Sequence, residues 1–516
     1  MAYVIGVDVG TQSTKALVLG LQGEIVGQAS VSYQVDTPHL MWAEQWPEVW
    51  FDAVCQTITQ SIKASNIAAE EIKAVCISSL YGGSGIAVNR DMRPLHPCLI
   101  WMDRRAGEEV QWVRDHVDTE RLFEITGNGL DSYYGYTKML WLKRFRPDIW
   151  LNTHYLLPPN SYINYLLTGE VAVDHSSAGN IGGVYDIKAR TWSQAALDML
   201  GIPRNMMPDR LVECSEIVGG LLPEMAEKLG LKAGTPIVAG GVDAAVATLA
   251  AGVIAPGDHV AMLGTSMCWG YINPDVDAKH GLISMPYVIN GLQDNYIFGG
   301  AITAGAAISW FRNNFCQQEV EQAKRENIDV HQLLEQQALQ VKAGSEGVMF
   351  LPYLMGERSP IWDPQASGTL LGLSLYHTKG HMYRAVLEGI AFALRDNITC
   401  GIKGATHLEP QLIVVGGAAH SDLWMQIIAD VTGYPVVTIK EEVEAPLGDA
   451  CLAALAVGLI TDVKVIKSWM TLESRAQPDA ARHAHYSLLF AQYQDIYRNL
   501  KGNMHQLAML AHSAAQ

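Results

Sequence analysis

Asp8-Val9-Gly10-Thr11-Gln12-Ser13-Thr14-Lys15 places a carboxylate at the end of an apolar run, then a glycine turn and hydroxyl side chains. A carboxylate so placed suits Mg2+, usually through water. Gly10 lets backbone N–H groups approach a phosphate, and Thr11, Gln12 and Ser13 add polar side chains. An ordinary hairpin with a capping aspartate has the same composition, so both readings stay open here. Leu263-Gly264-Thr265-Ser266 repeats the turn about half a chain later. Two such loops facing one cleft would clamp a polyphosphate from both sides. Gly240-Gly241-Val242-Asp243-Ala244-Ala245 puts Asp243 among small residues after the apolar run 236–239. It reads either as a base for an attacking hydroxyl or as the cap of the Ala-rich helix that follows. Phosphoryl transfer needs that orientation and proton acceptance more than covalent help. Gly416-Gly417-Ala418 follows Val414-Val415 and precedes a helix over 422–432. Such a turn admits a nucleotide's sugar and base, and is also a routine strand-to-helix connection.

These segments need strands to present them. Residues 3–8, 16–19 and 24–33 read as three antiparallel strands, followed by an amphipathic helix over 47–64 with Pro47 at its start. Strand-like and helical segments then alternate to about Val238, which implies an α/β sheet with helices on it. The grammar restarts at 259–263, turns at Gly264-Thr265-Ser266 and continues through 267–272. Strand, Gly-Thr turn, strand therefore occurs twice, and two domains of one fold are expected. The chain should cross between them within 244–257, giving domains of 1–246 and 255–516.

The chain has 516 residues, of which 49% are hydrophobic and 17% charged, enough for full cores and against disorder. Its net charge of −17 argues against nucleic acid, which needs basic patches. An anion such as ATP must then be held locally by backbone N–H groups and a metal. The eight cysteines form no CxxC pair and read as buried thiols of a reducing cytoplasm. Met1-Ala2 lead straight into a strand, so neither a leader nor a membrane span is expected.

Together these segments resemble the FGGY carbohydrate kinases, which include xylulose, ribulose, gluconate and glycerol kinases. The likeness covers nearly the whole chain and is greatest to bacterial xylulose kinases. Residues 368–388 (GTLLGLSLYHTKGHMYRAVLE) fit the family's C-terminal signature at every defined position. The N-terminal signature falls at 133–145 (YYGYTKMLWLKRF) with departures at Gly135 and Phe145, while Lys138 and Trp141 are in place. The blocks 43–47 (AEQWP), 350–360 (FLPYLMGERSP) and 444–448 (EAPLG) also match. The resemblance implies two actin-like, ribonuclease-H-like α/β domains with ATP and sugar in the cleft between them. It implies Asp8 for Mg2+ and phosphate, Asp243 as catalytic base, and Gly264-Thr265 as the second phosphate loop. It also implies Gly416-Gly417-Ala418 for adenosine, with alanine where glycine is usual, and Gly305 as a small residue beside ATP. Dimers are common in the family, which leaves a homodimer open.

The main departure is the sugar-reading loop. Xylulose kinases carry a Gln-Met-His-Gly segment where this chain has Tyr81-Gly82-Gly83-Ser84, so the histidine gives way to Gly83. The change would enlarge the pocket or expose backbone to the ligand, with Tyr81 and Ser84 offering hydroxyls. Trp101 and Asp103 belong to a Trp-x-Asp-x-Arg segment of the kind that lines the family's sugar site. Asp103 is expected to accept from a sugar hydroxyl, with Arg104 and Arg105 paired to Glu108 or Glu109. Asn128 and Asp131 are further candidates. The expected reaction is phosphorylation of a primary hydroxyl on a ketopentose such as xylulose or ribulose. Kinases of a tetritol, another polyol or a sugar acid remain open, as does a non-catalytic actin-like sugar sensor.

Overall fold

The structure, a computed structural model, describes residues 2–276, 281–441 and 444–514. β1 (Tyr3–Val9), β2 (Ser13–Gly20) and β3 (Ile25–Ser32) form an antiparallel meander. β1 is almost continuously apolar because it runs through the middle of a sheet covered on both faces. β4 (Ile72–Ser79) pairs parallel with it, and β5 (Ile217–Gly220) and β6 (Pro236–Val238) complete the order β5-β6-β4-β1-β2-β3. The helix Pro47–Ser65 joins β3 to β4 and packs on β2 and β3 through a stripe that includes Trp50, Val54 and Ile58.

β7 (His259–Leu263), β8 (Met267–Asn273), β9 (Ile283–Pro286) and β10 (Asn295–Gly299) open a second sheet. β11 (Leu412–Val415), β12 (Val436–Ile439) and β13 (Leu472–Ala476) complete the order β9-β10-β8-β7-β11-β12-β13. The runs β3-β2-β1-β4-β6 and β10-β8-β7-β11-β12 share connectivity and strand direction. The fold is therefore the duplicated α/β architecture that the repeated hairpin implied, of the actin-like type that the family resemblance implied. Among the described residues no helix is long and apolar enough to cross a membrane.

The chain is laced between the lobes. The helix Asp243–Ala250 leads from the first sheet to the second. After β12 the chain returns, and the helix Ala445–Ala456 packs on β1, β4 and the helix Asp243–Ala250. Gly6 permits this fit, since a Cβ there would lie 1.9 Å from the Pro446 carbonyl oxygen. The opposite face of the helix closes on its neighbour at Gly448, where a Cβ would sit 2.3 Å from the Val246 carbonyl oxygen. The short turn Val463–Trp469 stays in the first core through Ile466, and β13 then rejoins the second sheet. The passages meet: Lys440 N–H donates to the Thr471 carbonyl at 3.0 Å, and Lys467 pairs with Asp258 at 3.2 Å.

Candidate active site

The centre of the site is the top of β1. Asp8 has Lys15 opposite it on β2 and Ser78 opposite it on β4. Burial and the nearby Asp243 carboxylate push the Asp8 carboxyl well above its usual range, with Lys15 acting against them. Lys15 itself forms an ion pair with Glu444, at the start of the returning helix, and does not stand free in solvent. Ser78 Oγ lies 3.5 Å from Asp8 but 2.6 Å from Asp449, so its single proton goes to Asp449. Asp449 is fully buried on the helix Ala445–Ala456, and burial raises its carboxyl well above the usual range. Sequence reasoning missed this residue. The available signal was a lone carboxylate inside APLGDACLAALA.

Asp243 is the first residue of its helix and accepts from the Ala244 N–H at 2.7 Å. Burial raises its carboxyl to about 6. A carboxylate with that affinity for protons can take one from an alcohol as the alcohol oxygen attacks. Of the two readings of Asp243 from sequence, the cap is corrected: Val242 holds the N-cap position and no side chain caps the helix, while Asp243 is its first residue and bonds only the adjacent N–H among the described residues.

The two Gly-Thr turns have similar geometry. Gly10 N–H donates to Ser13 at 3.0 Å, and Gly264 N–H donates to Ser266 at 3.0 Å. Tyr33 fixes the first turn, bonding the Gly10 carbonyl with its hydroxyl at 2.7 Å and the Gln12 carbonyl with its N–H at 2.9 Å. The start of the helix Gly305–Phe315 fixes the second: Gly305 N–H donates to Gly264 at 2.9 Å, while Ala304 and Ala306 donate to Thr265 at 3.0 Å. A Cβ at Gly305 would lie 2.7 Å from the Gly264 carbonyl oxygen, so glycine serves the loop as well as any ligand. Gly416, at φ 97°, passes equally close to Leu263. A cavity of about 830 Å3 opens between these segments, lined by Gly264, Thr265, Gly305 and Gly417 with Trp310, Tyr383 and Trp424. That size and lining suit a nucleotide. Ala418 belongs to the adjoining turn Gly417–His420, and its side chain lies outside the described residues.

The substrate end departs from expectation. Asp103 is wholly buried with both oxygens engaged, by Ala43 N–H at 2.7 Å and by Arg105 Nε at 3.0 and 2.8 Å. It anchors Arg105, which also binds Glu44 at 2.5 Å and stacks on Trp42 at 3.6 Å, and it does not stand as an open acceptor. Arg104 pairs with Asp131, and Arg144 takes Glu108 and Glu109, so the expected arginine pairings are also corrected. The Tyr81 hydroxyl is enclosed without a partner and does not open to the cleft. Ser84 is spent on the Gly85 carbonyl at 2.8 Å and the Leu99 N–H at 3.1 Å. Gly83 faces backbone, since a Cβ there would lie 2.3 Å from the Leu99 carbonyl oxygen. At Gly82, φ 88°, a Cβ would touch Trp101 and Tyr133 at 3.1 Å. Tyr133 and Trp101 therefore stand where a side chain at Gly82 would extend. Trp101 Nε1 donates to Thr11 at 3.0 Å, which joins the sugar-side segment to the first phosphate loop. Asn128 bonds the backbone of Ser284 in both directions, at 2.8 and 2.9 Å, and is a tie between lobes.

Lys138 organises this end. Its ammonium is fully buried and donates to the carbonyls of Gly82, Ser132 and Tyr133 at 2.9, 2.7 and 2.6 Å. Burial lowers its affinity for protons to about 7, against the pull of Asp103.

Known proteins are similar to this chain over nearly its whole length. The xylulose kinase of Lactococcus lactis is 29% identical, covering 98% of this chain and 99% of the relative. The xylulose kinase of Escherichia coli is 31% identical, covering 96% and 99%. The crystal structure of a ligand-bound xylulose kinase from Lactobacillus acidophilus superposes with a TM-score of 0.90 at 28% identity, covering 98% of this chain and 100% of that one. The family models for the N-terminal and C-terminal domains of the FGGY carbohydrate kinases match residues 3–250 and 259–457, and this chain belongs to that family.

Proposed function

We propose that this kinase transfers the γ-phosphoryl group of ATP to a primary hydroxyl of a small sugar, a ketopentose such as xylulose or ribulose. The observation that carries the reading is Asp243, a carboxylate raised to about 6 beside Asp8, which ends the strand that leads into the first Gly-Thr loop. Asp243 takes the proton of the attacking hydroxyl. The new bond joins that oxygen to the γ-phosphorus, the bond from phosphorus to the β–γ bridging oxygen breaks, and ADP leaves. Backbone N–H groups of the two loops and the hydroxyls of Thr11, Ser13, Thr265 and Ser266 hold the phosphates. Gly416, Gly417 and Ala418 border the nucleoside.

A divalent cation fits Asp8, whose buried carboxyl stands beside a second carboxylate with Lys15 already engaged by Glu444. Among the described residues no three acidic, histidine or cysteine side chains converge on one metal position. Phosphate and water must then complete the shell, as Mg2+ prefers. When bound there, Mg2+ supplies charge neutralisation on the phosphates.

A sugar acid is the second reading, because the gluconokinase of Bacillus subtilis is also 29% identical over 98% of both chains. ADP release with Mg·ATP across ketoses, aldoses, polyols and sugar acids separates the two. Turnover confined to aldonates would replace the ketopentose reading. No turnover on any compound would remove both.

A further inference from the structure

Arg358 is a buried charge that the chemistry above does not use. It sits in a rigid loop of the second lobe. Glu357 and Asp363 exchange backbone hydrogen bonds at 2.9 and 3.0 Å, and the Glu357 carboxylate accepts from the N–H groups of Ile302 and Arg358. The Ser359 hydroxyl accepts from Gly300 N–H at 2.6 Å. Although only 7% exposed, Arg358 has one recorded hydrogen bond from its side chain, Nε to the Gly300 carbonyl at a long 3.4 Å. Among the described residues it takes part in no ion pair. A guanidinium buried without a carboxylate is costly, and it is retained where a ligand supplies the missing acceptors.

Its position says which ligand. The guanidinium lies 5.9 Å from the ring centres of Trp101 and Tyr133, both on the first lobe. Its charge acts on the Tyr133 hydroxyl and the Cys268 thiol, and the Asp243 carboxylate acts on the same two groups. Arg358 and Asp243 thus act on the same two side chains, and the guanidinium faces the ring of one of them, Tyr133. The Tyr133 hydroxyl also faces the Asn180 side chain, whose amide oxygen is buried without a partner. An acceptor buried without a partner among the described residues, beside a guanidinium whose forked end makes no hydrogen bond there, suits a polyhydroxylated chain.

We propose that Arg358 binds the substrate, its fork donating to a pair of oxygens on the carbon chain beyond the hydroxyl that Asp243 serves. The inference rests on the sugar-kinase reading and deepens it: the second lobe reads the sugar as well as the nucleotide. Substrates carrying two adjacent oxygens at that end are selected, and analogues lacking one leave the fork unpaired.

The test uses the full-length enzyme with D-xylulose, D-ribulose, D-gluconate and erythritol, and with deoxy analogues of whichever is turned over. Arg358→Gln and Arg358→Lys are expected to raise the KM for that compound about 100-fold, the scale of losing a charge-assisted pair of hydrogen bonds. The KM for ATP and the melting temperature should stay near those of the parent. Lysine should not restore binding, because a point charge cannot replace the fork. The penalty that the parent imposes on one deoxy analogue should vanish in Arg358→Gln. An unchanged sugar KM, or equal rises for sugar and ATP, would overturn the role of Arg358 while leaving the kinase reading intact. Failure of the parent to turn over any sugar, polyol or aldonate would overturn both together.

Discussion

At the residue scale the proposed chemistry depends on two buried carboxylates, both raised by their surroundings. Asp243→Asn should lower kcat by about 10²–10⁴-fold, the usual worth of a positioned base. Circular dichroism should show the fold intact, and a variant that retains full activity would eliminate Asp243 as the base. The proton affinity of Asp243 is raised, so the accepting form predominates above pH about 6 and is lost below it. The pH profile of kcat/KM should therefore fall tenfold per unit on the acid side of about 6. Lys138→Met would strip the carbonyls of Gly82, Ser132 and Tyr133 of their shared donor. We expect a higher sugar KM with little change for ATP, and a melting temperature several degrees lower. Equal rises in both KM values would argue that the tripod steadies the fold alone. Asp8 and the glycine turns fall at strand ends as the sequence reads, because such residues keep their setting locally, while Asp243 falls at a helix start. Asp449 was not legible, because its partner Ser78 is 371 residues away in sequence. Asp103 misled for the opposite reason: its type and setting suggest ligand binding, yet Arg105, two residues on, occupies it.

At the scale of elements, the doubled hairpin is the feature that sequence predicted most directly. The two turns are not equivalent, however. Aligning Gly10-Thr11 with Gly264-Thr265 sets Met262 in the place of Asp8, so the proposed cation would belong to the first turn only. The returning helix was invisible in sequence. Ala445–Ala456 reads as one more apolar helix of the second half, and only tertiary packing shows that it covers the first sheet. Its seat is tested by adding volume. Gly6→Ala or Gly448→Ala forces a Cβ to within 1.9 or 2.3 Å of a carbonyl oxygen. Each should cost about 1–3 kcal/mol or more, as overpacking does, read as a lower midpoint in urea. Wild-type midpoints for both variants would mean that the helix sits less tightly than described.

At the scale of the whole molecule, the proposed reaction joins sugar and nucleotide across two lobes. The second lobe brings Arg358 and Trp362 against Trp101, Tyr133 and Tyr134 of the first. Ligands that bind this arrangement stabilise it by mass action, about 2.7 kcal/mol at a hundredfold excess over Kd. Sugar and a non-hydrolysable ATP analogue together should raise the melting temperature by more than the sum of their separate effects. Strict additivity would mean that the lobes bind their ligands independently.

The lacing of the chain has a consequence for dissection. The midpoint of the sequence looks like a natural place to divide the protein, yet a fragment ending near residue 254 would lack the helix that fills the groove at Gly6. The complementary fragment would carry that helix with its apolar surface bare. Expressed apart, the halves should aggregate. Expressed together, they should find each other and restore the enzyme, as a single cut in a doubly stitched seam leaves the cloth in one piece.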